Sequence, residues 1–146
     1  MRRLLLSLAL ALTLCAVGAS SALAEGPEGA QVAPLYGPFN PYSGLNCGAG
    51  GTPTPGTFGF AVFNTPGHET TLSGEVALKH AAPNATYPVE VLQDCGSTFV
   101  GTITTNTKGN GNLHFTTERD PGTTQYIVDV NAGTDEEFVS PVVELD

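Results

Sequence analysis

Beyond residue 57 the chain is built from short runs in which every second residue is apolar. Over 71–78, Leu72, Gly74, Val76 and Leu78 fall on one side and Thr71, Ser73, Glu75 and Ala77 on the other. Successive side chains of a strand point to opposite faces, so this alternation predicts a half-buried β-strand. The runs at 57–63, 87–93, 99–105, 113–118, 125–130 and 138–145 read the same way. Their inward sets are Tyr87, Val89 and Val91; Leu113 and Phe115; Tyr126, Val128 and Val130; and Val143 and Leu145. No segment carries the 3.6-residue period of a helix. Turn residues separate the runs. Asparagines and glycines between Thr105 and Asn112 tolerate positive φ and read as a hairpin, and Asp120-Pro121-Gly122 reads as another turn. Seven short strands divided by turns predict an all-β fold, a seven-stranded two-sheet Greek-key sandwich, with a small barrel as the alternative.

The first residues have a different logic. Met1-Arg2-Arg3 precedes an apolar run over 4–17, and Ala22-Leu23-Ala24 stands before Glu25. A basic start, a short apolar run and an A-x-A site make residues 1–24 a secretory signal peptide. The run is shorter than the about 20 residues a membrane span needs. The chain is therefore expected to be secreted and extracellular, with no membrane insertion after cleavage. Cys15 leaves with the signal. Cys47 and Cys95 remain, and two cysteines in an oxidising compartment predict one disulfide. The chain-entropy model assigns a loop of that length roughly 4 kcal/mol.

Residues 25–56 are dense in proline and glycine, which predicts an irregular arm pinned through Cys47 to a domain over 57–146. Aromatics lie within the arm, in Tyr36-Gly37-Pro38-Phe39-Asn40-Pro41-Tyr42. Phe39 and Tyr42 are candidate surface contacts, because exposed aromatics anchor interfaces.

Charge narrows the partners. After signal removal Lys79, Lys108 and Arg119 face 14 acids. Nucleic-acid binding rests on Lys and Arg neutralising phosphates, so that class is disfavoured, as is an anionic membrane surface. Chemistry finds little footing either. His68, His80 and His114 lie on separate segments without metal-ligand spacing, and His114 is on the outward phase of its run. No serine sits in a nucleophile motif. Asp135-Glu136-Glu137 with Asp129 could hold calcium, but a solvated turn is the reading adopted. No cofactor and no enzymatic activity are expected.

Three segments carry a resemblance. They are Ala82-Pro83-Asn84-Ala85-Thr86-Tyr87-Pro88-Val89, Gly101-Thr102-Ile103-Thr104-Thr105-Asn106 and Gly109-Asn110-Gly111-Asn112. Together they resemble secreted bacterial immunoglobulin-like modules, which implies a sandwich and no particular activity. In size, acidity and strand pattern the chain is also similar to neocarzinostatin-type apoproteins, which are secreted sandwiches carrying a small molecule and holding two disulfides. The expected function is thus an extracellular binding or adhesion module for a protein or glycan. A small-molecule carrier and an inhibitor of a secreted protease are the alternatives.

Overall fold

The computed structural model describes residues 29–39, 56–64, 70–94 and 96–145. The signal region, Tyr42, Cys47, His68 and Cys95 lie outside the described residues, and with them the expected disulfide. What is described is all-β, with no helix among the described residues. The strands are β1 (Ala30–Phe39), β2 (Thr57–Asn64), β3 (Thr71–Leu78), β4 (Thr86–Gln93), β5 (Gly96–Thr104), β6 (Gly111–Glu118), β7 (Gln125–Val130), β8 (Glu137–Val139) and β9 (Val143–Glu144).

All pairings are antiparallel, in the order β5-β4-β7-β8-β1-β2-β3-β6, with β9 added alongside β7. The two ends of that order approach each other. A Cβ on Gly101 of β5 would stand 3.0 Å from the Leu113 side chain of β6, and one on Gly111 of β6 would stand 2.5 Å from Ile103 of β5. The sheet therefore nearly closes into a barrel. Closure abolishes most of the exposed edge that an open sheet presents to other chains.

Nine strands are described where seven were expected, and two further expectations are corrected here. Residues 30–39 are not irregular chain but a strand in the middle of the sheet, between β8 and β2. Ala33, Leu35 and Gly37 turn inward while Val32, Pro34 and Tyr36 turn outward, so the prolines sit on a regular alternation. A register shift falls between Pro34 and Tyr36, where proline has no N–H to give the ladder. Tyr36 pairs with both Thr57 of β2 and Val139 of β8, so β1 changes partner at that residue. The Gly37–Pro38 bond is cis. Glycine is required at 37 because an added Cβ would meet Glu137 O and Phe138 Cδ1 at 2.7 Å.

The second correction concerns residues 105–110. They join β5 to β6, which are not paired neighbours, since β6 pairs with β3. The loop is an arch rather than a hairpin. Asn106 Oδ1 accepts from the N–H groups of Lys108 at 2.8 Å and Asn110 at 3.1 Å, which holds the turn in shape. Gly109 adopts φ 73°, a conformation glycine takes without strain, and an added Cβ there would strike Ala81 O.

One core fills the interior. Phe63, Leu72, Val76, Tyr87, Val89, Val91, Ile103, Phe115, Tyr126, Val128 and Phe138 are all buried in it. The Tyr87 and Phe138 rings meet edge-on at 5.9 Å, and Phe58 lies tilted against Phe138 at 5.1 Å. Buried tyrosines need partners for their hydroxyls. Tyr126 Oη donates to Thr123 O at 2.8 Å and accepts from Arg119 Nε at 2.7 Å. Gln93, also buried, donates from Nε2 to Glu118 O at 2.8 Å and accepts at Oε1 from Asp120 N at 2.9 Å, tying β4 to the end of β6.

Candidate functional site

The outward faces of the strands carry two sites of opposite character. The first lies on β1, β2, β3 and β6. Register places Pro34, Phe60, Ala77 and Asn112 in one row across these four strands. The adjacent row is Val32, Val62, Glu75 and His114. Val32, Tyr36 and Phe60 are exposed by 38–40%, an apolar strip on an outer sheet face. Past Phe60 the surface dips. The small side chain of Ala77 forms the floor, and Phe60, Glu75, Lys79, Asn106, Asn110 and Asn112 stand around it. This trough holds about 370 Å³, the low end of the size range for small-molecule sites.

The trough is mostly polar. Asn110 Oδ1 accepts from His80 N at 3.3 Å, and Asn106 Oδ1 is held by the two turn contacts already described. Both amide oxygens are thereby committed to backbone, which orients the NH2 groups. His114 Nδ1 lies 3.9 Å from Glu75 Oε2, a loose pair at the surface.

The second site is on β7 and β8, and it is closed. Asp129 is 5% exposed and Glu137 1%. Both belong to the outward phase of their strands, since Val128, Val130 and Phe138 are in the core. Asp129 pairs with Val139 on one side and Glu90 on the other. Burial, then the neighbouring Glu137 and more weakly Glu90, push the Asp129 carboxyl up to about 8. It therefore holds its proton at neutral pH and hydrogen-bonds Glu137. Glu137 Oε2 also accepts from Gly133 N at 3.2 Å. Asp129 Oδ1 has no hydrogen-bond partner. A bare oxygen is tolerable on a neutral acid and expensive on a carboxylate, which is a further reason for the proton to stay.

The acidic segment 135–137 is thus only in part the solvated turn expected from sequence, with Asp135 alone of the three exposed. Glu137 is buried, and Glu136 Oε1 accepts from Tyr87 Oη at 2.9 Å and from Ala82 N at 3.3 Å. Burial followed by the Glu136 contact raises the Tyr87 hydroxyl above its usual range. No group of three or more His, Cys, Asp or Glu among the described residues is placed to hold a metal ion.

Of the residues singled out in the sequence, Phe39 ends β1 opposite Glu137. His114 is exposed on the outer face of β6, on the phase expected. His80 and His114 are on separate segments. Phe60 and the asparagines of the trough were not anticipated. The signal for Phe60 was present, because it is a large aromatic on the outward phase of the 57–63 run.

Comparison with known families, with characterised proteins and with solved structures gives no match.

Proposed function

We propose that the chain is an exported, non-catalytic binding protein whose outer face over β1, β2, β3 and β6 holds its ligand. The observation that carries this reading is the polar trough beside the exposed Phe60. A half-exposed aromatic flanked by oriented amides can hold a partner through stacking and hydrogen bonds. The only strongly perturbed acid among the described residues, Asp129, is sealed from solvent, so it is out of reach of a substrate.

The strand order supports an immunoglobulin-like Greek key as the finer description. One half is β2-β3-β6 and the other β5-β4-β7-β8, and the connections β3 to β4, β5 to β6 and β6 to β7 cross between them. In this reading β1 bridges the two halves and turns the sandwich into a near-barrel. Export rests on the features of residues 1–24. The extracellular partner is a protein, a glycan or a small molecule. The filled inward face favours a ligand held outside the sheet over one carried between its layers.

Co-sedimentation of the protein, as its host exports it, with envelope preparations of that host tests this function. Retention that Phe60→Ala abolishes is expected. Retention by neither the wild type nor the variant would sink the reading.

A further inference from the structure

We infer that the trough beside Phe60 takes a neutral saccharide chain. The inference rests on the binding function proposed above and names the ligand class of the same site.

Three features point to sugar. The first is shape. Glu75 and Ala77 lie on the outer phase of β3 and Lys79 follows its end, so the trough runs about 13 Å between its two charged ends. It is long, shallow and open, which suits a segment of a chain rather than an enclosed small molecule. The second is the lining. Phe60 presents a flat apolar ring, which complements the C–H face of a pyranose. Asn112 is an exposed amide in the same row, and a planar amide offers a donor and an acceptor side by side, as adjacent hydroxyls do. Asn106 and Asn110 have their oxygens fixed to backbone, so their NH2 groups are donors held in place before any ligand arrives. Such preorganisation lowers the ordering cost of binding.

The third is charge. The trough has one carboxylate, Glu75, and one ammonium, Lys79, and no cluster of either sign. The chain as a whole carries a formal charge of −9. A polyanion such as nucleic acid or a sulfated glycan would be repelled, and nothing in the trough concentrates positive charge to overcome that. A neutral polyol meets no such barrier. An apolar ligand fits poorly, because Phe60 is the only large apolar side chain in the lining.

The test is sedimentation with insoluble cellulose, chitin, xylan and β-1,3-glucan, and with heparin-coated beads as a polyanion control. Wild type, Phe60→Ala and Asn112→Ala are compared. Retention on at least one neutral polysaccharide is expected, cut at least tenfold by Phe60→Ala and several-fold by Asn112→Ala, with none on heparin. Circular dichroism of the two surface variants shows that each is folded. Retention on no neutral polysaccharide, or retention indifferent to Phe60→Ala, overturns the inference. If host envelopes still retain the protein in a Phe60-dependent way while no polysaccharide does, the saccharide falls and the binding function stands, with a peptide as the remaining ligand. If envelopes fail as well, both fall.

Discussion

On the outer side of β2 and β3, Phe60 and Glu75 meet solvent, whereas on the outer side of β7, Ile127 and Asp129 do not. Both pairs occupy the same phase of a strand in one continuous sheet. Their environments nevertheless differ completely. Around Phe60 the outer residues are aromatic, amide and singly charged, an assortment suited to contact with something outside the fold. Around Asp129 they are Ile127, Val139 and Glu137, all buried, so that the sheet is packed on both sides at β7 and β8. The lesson is that phase along a strand assigns a residue to a face, and only what lies over the face decides whether it is core.

The sharpest way to break this contrast is to truncate on the closed side. Ile127→Ala should cost about 2–5 kcal/mol in urea unfolding, as a core residue does, although it points away from the main core. A cost near zero would mean that the outer face of β7 is open after all.

A second test uses pH. Asp129 titrates at about 8 when folded against an ordinary 3.8, so between those values the folded state retains a proton that the unfolded state has lost. Stability should therefore be greatest at the acid end of that window and fall as pH rises. The slope is at most about 1.4 kcal/mol per pH unit. Asp129→Asn, which keeps the shape and cannot ionise, should flatten the profile. Stability that climbs from pH 4 to 8 would contradict the buried acid pair.

Gln93→Leu gives a smaller effect, about 1–3 kcal/mol, because it strands Glu118 O and Asp120 N without their partner. The open side should respond least. Phe60→Ala is expected to move stability by no more than about 0.5 kcal/mol while removing ligand retention. A large loss of stability there would make Phe60 a structural residue and erase the distinction between the two faces.

Much of the fold was readable in the residues. The runs at 71–78 and 125–130 coincide with β3 and β7, and those at 57–63, 87–93, 99–105 and 113–118 locate β2, β4, β5 and β6 to within a few residues. Their inward sets match the core, with Leu113 packed against it from a half-buried position. The run at 138–145 contains Ser140-Pro141 and divides there into β8 and β9. β1 was hidden by composition, since its prolines and glycine are loop formers and mask its alternation. The acid pair was hidden for another reason. Tyr126-Ile127-Val128-Asp129-Val130 is nearly continuous in apolar residues, the mark of a strand covered on both faces, yet it also fits simple alternation. The trough needed register, because Phe60, Ala77 and Asn112 are neighbours only across three strands.

The central place of β1 bears on how the molecule assembles. Its two partners come from opposite ends of the described chain, β2 directly after it and β8 near the close. The pairing of Tyr36 with Val139 spans most of the sequence, a contact of high order that is slow to form. A chain that emerges N-terminus first presents β1 well before β8. Until β8 arrives, one side of β1 is an unpaired edge able to recruit a strand from another molecule. The vulnerable interval in this protein's life therefore lasts until β8 is in place beside β1.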